Sequence, residues 1–231
     1  MWQGRGVDVG IIGGTGPAGR ALGARLAAAG ATVVLGSREP ARATAAAQDV
    51  AARWPARDLA ITGAANEVAA AADIVVLATV WDAAVATAIQ LAPVLEGRVV
   101  VSMANAIIRV GDEFQALVAP RGSIAATIQA AVPGCRVTAA FQHLPAGRLA
   151  ELDQPLQADV LVCADDDRAG EATVRLVESI PGLRGLRAGS LAAAGAVESL
   201  TAVLVNLNVR YRAHATLQLA GVPRRSEETR R

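Results

Sequence analysis

The sequence predicts an α/β fold in which a doubly wound parallel sheet is followed by a smaller C-terminal α/β portion. Three observations carry this. Short runs rich in β-branched residues alternate with alanine-rich segments through the first hundred residues, the pattern of strands and helices that wind a parallel sheet. Two of the runs, Asp73 to Thr79 and Arg98 to Ser102, are almost continuously apolar with no alternation, as in strands buried on both faces. The first run, from Val7, ends on a glycine-rich turn, Gly13-Gly14-Thr15-Gly16-Pro17-Ala18-Gly19, which opens an alanine-rich segment from Arg20 to Ala29.

That turn is the strongest single signal. Gly14, Gly16 and Gly19 form G-x-G-x-x-G with a strand before and a helix after, the context a Rossmann dinucleotide site requires. The first glycine allows a tight turn, the second a close approach of backbone to pyrophosphate, and the third helix-on-strand packing. Free N–H groups at the helix start, where Pro17 and Ala18 stand, then face the phosphates, and Thr15, inside the glycine loop, is a further possible phosphate donor; all three belong to the expected site with the glycines. The second strand is Thr32 to Leu35, and Asp58 to Thr62 suggests a third. Asn66 to Ala72 reads as a short helix. Asp82 to Leu91 reads as another, with Asp82 as a possible N-cap.

The end of the second strand selects the dinucleotide. An NAD site carries Asp or Glu about 20 residues after the glycines to hold the ribose 2′-hydroxyl. This chain has Gly36-Ser37-Arg38 there. Ser37 can donate to a 2′-phosphate, and Arg38 offers a planar fork that matches phosphate oxygens. Arg42 follows one helical turn later and can face the same way. Ser37 can also cap a helix with Pro40 in its first turn, and the two roles are compatible. Glu39 is read as a first-turn helix charge. The expected ligand is NADP.

Composition excludes several classes. All 22 basic residues are arginine, so Schiff-base and lysine-base chemistry is ruled out. Net charge is +1 with scattered arginines, and no basic stripe argues for nucleic acid. Aromatic residues are 3% of the chain, so the core is built from Ala, Val, Leu and Ile. Cys135 and Cys163 form no close pair, and neither they nor His143 and His214 have metal-ligand spacing. They read as reduced, mostly buried thiols, with no metal site. Met1 to Gly6 carries no apolar run, so no secretory signal is expected. Leu191 to Val209 is apolar but contains Glu198, Asn206 and Asn208, which argues for a buried helix over a membrane span. The expected location is cytoplasmic.

The remaining segments read as helices at Glu113 to Val118 and Ser123 to Ala131, and strands at Val137 to Phe141 and Asp159 to Cys163. Asp165-Asp166-Asp167 opens a helix to about Ser179, and the acids are expected to cap it rather than bind metal. Leu191 to about Ala220 reads as one apolar helix that packs across the sheet or against a second subunit. Arg224 to Arg231 is expected to be disordered. No linker separates domains. The expected division is residues 1–141, the NADP-binding part, and 142–231, a smaller substrate and dimerisation portion.

Over almost its whole length the chain resembles the NADPH-dependent coenzyme F420 reductases. The likeness rests on the glycine loop from Gly13 to Gly19, Gly36-Ser37-Arg38, Ile61-Thr62-Gly63 with Asn66-Glu67, and Trp81. It continues through Leu144-Pro145-Ala146, Val162-Cys163-Ala164-Asp165-Asp166-Asp167, Ala188-Gly189 and Val197-Glu198-Ser199-Leu200-Thr201. The resemblance implies NADP in the sheet crevice and a deazaflavin stacked against its nicotinamide. Thr15, Ser37, Arg38 and Arg42 match the 2′-phosphate positions, and His143 and Leu144 match the region of the deazaflavin ring. Two positions depart: Gln142 stands where members carry histidine, and Val80 where they tend to have proline.

Hydride transfer asks the protein for distance, angle and dryness, so no catalytic triad is expected. Thr79-Val80-Trp81 and Met103-Ala104 follow buried strands at their C-terminal ends, where ligands bind in open α/β sheets. Trp81 either walls the nicotinamide pocket or packs in the core. His143 either supplies a proton to the ring nitrogen or is a satisfied structural histidine. The expected activity is reversible hydride transfer between NADP(H) and coenzyme F420 by a homodimer that binds only small redox molecules. The alternatives are an NADPH-dependent reductase of a flavin, imine or ferric complex, and a non-catalytic NADP(H) sensor.

Overall fold

A computed structural model describes residues 6–223. In order the chain forms β1 (Asp8–Ile12), α1 (Pro17–Ala28), β2 (Thr32–Ser37), α2 (Pro40–Arg53), β3 (Ile61–Ala65), the single turn α3 (Asn66–Ala69), β4 (Ile74–Leu77), α4 (Trp81–Leu95) and β5 (Val99–Ser102). After a hairpin, β6 (Ile107–Val110) and β7 (Glu113–Ala116), come α5 (Ile124–Ala131), β8 (Arg136–Ala139), the short α6 (Ala146–Ala150), β9 (Ala158–Ala164), α7 (Asp167–Ser179), β10 (Leu183–Gly189) and α8 (Leu191–Tyr211). The segment Arg224 to Arg231 and nearly all of Met1 to Gly6 lie outside the described residues.

Eight strands form one sheet in the order β10-β9-β8-β5-β4-β1-β2-β3. The six from β3 to β8 are parallel and wind outward from β1, the Rossmann order. β9 runs antiparallel to β8, and β10 follows β9 in parallel. The sheet is therefore unbroken across position 141. Its central strands are the apolar runs of the sequence: Ile74, Val75, Val76 and Leu77 are all 0–1% exposed. One face is covered by α1, α2, α6 and α7 and the other by α3, α4, α5 and α8. Burial on both faces is why those runs do not alternate.

Helix starts follow their caps. Ser123 Oγ accepts from the Ala126 N–H at 2.9 Å to open α5, and Asp166 Oδ1 accepts from Ala169 N–H at 2.7 Å to open α7. Asp165 Oδ1 accepts from Leu191 N–H at 2.9 Å and so opens α8. Asp167 pairs with Arg187 at 3.2 Å. The three acids thus serve two helix starts and an ion pair.

Three expectations need correction, and one strand was not expected. Glu113 to Val118 is not a helix: Glu113–Ala116 pairs antiparallel with Ile107–Val110 around a turn at Gly111, whose φ is +59°. The Asn206 side chain of α8 holds Phe114 there at both its N–H (2.7 Å) and its C=O (2.8 Å), a tertiary grip that local propensity does not contain. The long last helix stops at Tyr211, where Arg212 adopts a left-handed φ of 48°. The chain then runs extended beside β9, with Asp159 N–H bonded to Leu217 C=O at 2.8 Å. Asp82 is not a cap: α4 starts one residue earlier, after Val80, and Asp82 sits in its first turn. Finally, β10 has no counterpart in the sequence reading, because two glycines and two arginines interrupt its apolar pattern.

Helix α8 is long and apolar enough, by length and composition, to cross a membrane, with a third of that stretch buried. Its buried face includes Glu198, whose carboxylate accepts from Ile124 N–H (2.9 Å) and Ala125 N–H (3.3 Å) at the start of α5. Burial raises the Glu198 pKa above the usual carboxylate value, and these two bonds oppose the rise. Cys135 and Cys163 are buried and unpaired. Burial raises both thiols, Cys163 to about 11 with help from the nearby Glu198 charge.

Candidate active site

The C-terminal strand tips of β3, β2, β1 and β4 enclose a cavity of about 640 Å³. Its floor is the glycine loop. Gly13 takes φ +80°, and a Cβ there would lie 2.9 Å from the Ala78 backbone. The left-handed residue of the turn is therefore Gly13, one place before the G-x-G-x-x-G glycines. Gly14 serves clearance instead: its N–H bonds to the carbonyls of Ile11 and Gly36, both at 3.1 Å, and a Cβ would strike Ile11 O at 2.8 Å. Gly19 is equally tight, with a Cβ 2.7 Å from Gly13 O. These two glycines shape the loop from outside the cavity. Thr15, Gly16, Pro17 and Ala18 line it, at the start of α1 where unpaired N–H groups gather.

Ser37, Arg38 and Arg42 line the same cavity on the β2 side. Ser37 Oγ accepts from Glu39 N–H at 3.2 Å, and Glu39, not Ser37, occupies the cap position of α2 ahead of Pro40. Glu39 pairs with Arg42 at 3.4 Å in an exposed contact. Such surface pairs contribute little, so the Arg42 guanidinium can exchange this partner for a stronger anion. Thr79 and Val80 line the β4 side. The Thr79 hydroxyl is buried without a partner among the described residues, which fits a ligand hydrogen bond in this crevice.

The other expected residues sit beyond this cavity. Trp81 is partly buried, packs against the core on the α4 face, and does not line the cavity. Met103 and Ala104 follow β5 and are 8% and 3% exposed. The next residue, Asn105, joins three elements: its Nδ2 donates to Gln142 C=O at 2.9 Å, and its Oδ1 accepts from Thr201 of α8 at 3.0 Å. Gln142 itself stands past the tip of β8, after Phe141 with φ +65°, and both polar atoms of its side chain are buried without partners among the described residues. Leu144 is buried in the core of the α1 face.

His143, the sequence candidate for proton transfer, does not line the cavity. Its ring is 3% exposed and its Nε2 accepts from Leu161 N–H of β9 at 3.2 Å. Burial holds its pKa down at about 4. It is a neutral, structurally engaged imidazole at pH 7. His214 lies elsewhere, packed on Gly147 of α6.

Two features escaped the sequence reading. Ala83, Ala86, Thr87 and Gln90 wall the cavity from α4, and their i, i+3, i+4, i+7 spacing was the available signal. Asn66 lines the cavity from the first turn of α3. A second cavity of about 450 Å³ shares Thr15 and Pro17 with the first and lies between α1, the end of α2 and α6, with Trp54, Ala146 and Gly147 among its walls. Arg25 supports that region from α1. Its guanidinium donates to the carbonyls of Arg148, Leu149, Glu151 and Gln154 at 2.7–3.2 Å.

Comparison with known proteins agrees with this geometry. Residues 8–106 match the family described as NADP oxidoreductase coenzyme F420-dependent. The F420-dependent NADP reductase of Methanothermobacter thermautotrophicus is 32% identical over 227 residues, 94% of this chain and 96% of that protein. The protein of the same description from Methanocaldococcus jannaschii is 32% identical over 215 residues, 91% and 96% of the two chains. A crystal structure from Arthrobacter sp. FB24, provisionally assigned as an F420-dependent NADP reductase, superposes with a TM-score of 0.79 at 24% identity, covering 93% of this chain and all of that one. The glycine loop, the Ser37-Arg38 tip and a likeness that runs nearly end to end lead to one conclusion: the chain belongs to the F420-dependent NADP reductase family.

Proposed function

We propose that this protein transfers a hydride reversibly between NADP(H) and coenzyme F420. The observation that carries the reading is the joining, in one cavity, of the glycine loop with Ser37, Arg38 and Arg42. The backbone N–H groups at the start of α1 from Ala18 onward would hold the pyrophosphate, since Pro17 has none and the Gly16 N–H bonds to Gly13 C=O at 3.0 Å. Ser37, Arg38 and Arg42 would hold the 2′-phosphate by charged hydrogen bonds. Thr79 and Val80 would direct the nicotinamide half toward the β5 and β8 tips, where Met103 and Ala104 would back the deazaflavin, with Trp81 and Leu144 packed behind them in the two cores. The unpaired Gln142 amide fits a ring that offers both donors and acceptors. When bound, the two molecules supply the redox chemistry, and the protein supplies a separation of roughly 3–3.5 Å between donor and acceptor carbons. The buried, neutral His143 is not assigned the ring proton.

The test is direct. Purified protein mixed with NADPH and oxidised F420 is expected to bleach the visible absorbance of the deazaflavin. Absence of turnover above background defeats the assignment. The same mixture with a flavin, an imine or a ferric complex in place of F420 is expected to be inert.

The reading includes a cytoplasmic homodimer. Its support is α8, which exposes Val203, Leu207, Val209 and Tyr211 along with its buried face, an apolar surface of the kind subunits cover. Light scattering of the wild type and of Val203→Asp/Leu207→Glu is expected to give dimer and monomer respectively.

A further inference from the structure

The nucleotide cavity holds two buried polar side-chain atoms with no partner among the described residues, Thr79 Oγ1 and Asn66 Oδ1. They differ in what they can do. A threonine hydroxyl donates or accepts, so it suits ligand groups of either kind. A carboxamide oxygen only accepts. A buried acceptor left without a donor is costly and calls for an explanation.

The position of Asn66 narrows the donor. Asn66 opens α3 directly after β3, beside the tip of β2. A Cβ built on Gly36 would lie 3.0 Å from Asn66 Oδ1, so the oxygen sits against the residue that precedes Ser37. The cationic and hydroxyl groups at that tip, Ser37, Arg38 and Arg42, suit an anion. The Asn66 oxygen would repel one. In an adenosine carrying a 2′-phosphate, the sugar group next to that phosphate that still bears a proton is the 3′-hydroxyl.

We propose that Asn66 accepts a hydrogen bond from the 3′-hydroxyl of the adenosine ribose and makes this end of the cavity selective for an intact 3′-hydroxyl beside the 2′-phosphate. The inference rests on the NADP reading above. It adds to the arginine grip on the phosphate a neutral contact that fixes the rotation of the sugar. Replacing Asn66 by leucine removes the acceptor and also the unpaired oxygen, so no side-chain hydrogen bond among the described residues is broken in the ligand-free protein while the ligand loses a partner.

The experiment is calorimetric titration with 2′,5′-ADP and with its 3′-deoxy analogue. The wild type is expected to bind 2′,5′-ADP about tenfold more tightly than the deoxy compound, the net effect of one hydrogen bond. Asn66→Leu is expected to bind the two alike and to melt, without ligand, at or above the wild-type temperature. Asn66→Asp, which keeps an acceptor oxygen, is expected to keep the preference. Equal binding of both compounds by the wild type overturns the inference without needing any variant, and so does a wild-type preference retained in Asn66→Leu. If the wild type binds neither compound, the NADP reading has failed and the inference falls with it.

Discussion

Removing the Arg25 guanidinium should loosen the whole segment after α6. The side chain reaches out of α1, is 7% exposed as a residue, and bonds four backbone carbonyls between Arg148 and Gln154 at 2.7, 3.1, 2.7 and 3.2 Å. A hydrogen bond from a charged donor is worth about 1.5–3 kcal/mol, so four give a gross loss of roughly 6–12 kcal/mol. Three terms reduce it. The buried cation bears a desolvation cost, which lowers its pKa below the usual arginine value, with Arg148 and Arg57 adding to the effect. Alanine has no rotamer freedom to lose on folding, so the variant avoids up to about 2 kcal/mol of side-chain entropy cost. The carbonyls, which lie at a partly open edge, recover water. A net loss of about 3–5 kcal/mol remains, the range seen when one partner of a buried charged contact is removed. For a chain of this size that corresponds to a melting point lower by roughly 6–20 °C. Arg25→Lys should recover about half, since an ammonium cannot fork to four acceptors. Scanning calorimetry of wild type, Arg25→Lys and Arg25→Ala measures the series. An alanine variant melting within about 2 °C of wild type refutes the reasoning, because the four contacts would then be worth no more than the water that replaces them.

Three further predictions concern binding, pH and packing. Arg38→Ala should weaken NADPH by roughly 1–3 kcal/mol, up to about a hundredfold, and NADH much less; equal losses for both nucleotides would remove Arg38 from the phosphate site. His143 has a folded pKa of about 4 against an ordinary 6.5, so below pH 6.5 the unfolded chain binds the proton first. Stability from this group is complete above pH 6.5 and is lost as pH falls toward 4, by at most roughly 3 kcal/mol. His143→Gln keeps an acceptor for Leu161 and should lose that part of the pH slope; superimposable melting-versus-pH curves for the two proteins would contradict it. Gly63→Ala should strain the α2–β3 contact severely, because a Cβ there would lie 2.1 Å from the Ala43 carbonyl carbon, and backbone cannot yield as a side chain can. A soluble yield and melting point equal to wild type would show that α2 shifts freely.

What could be read from the chain alone were features set by neighbours in sequence. The glycine loop, the carboxylate-free tip Gly36-Ser37-Arg38 and the apolar runs of β4 and β5 are local patterns with local physics: turn sterics, anion geometry, burial on both faces. Their assembly into one cavity follows from β1 and β2 being parallel neighbours. The caps at Ser123 and Asp166 belong to the same class. The aligned cavity wall on α4 is legible too, through the spacing of Ala83, Ala86, Thr87 and Gln90.

Tertiary structure decided the rest. Glu113–Ala116 is a strand because Asn206, 92 residues further on, grips Phe114. The last helix ends at Tyr211 because the following segment gains bonds along β9 that a longer helix would forfeit. The sequence around His143 leaves open a proton donor and a structural acceptor; the hydrogen bond that its Nε2 accepts from Leu161 N–H, and the burial around it, are set by the packing of β9. The same holds for Arg25 and Asn66, whose partners, present or missing, are set by contacts more than a hundred residues away in one case and by an opening between strand tips in the other. Short-range pattern specifies which elements form and which ligand charge they favour, because those depend on dihedrals and residue type. Which polar groups are buried, paired or left waiting depends on how the elements close over one another.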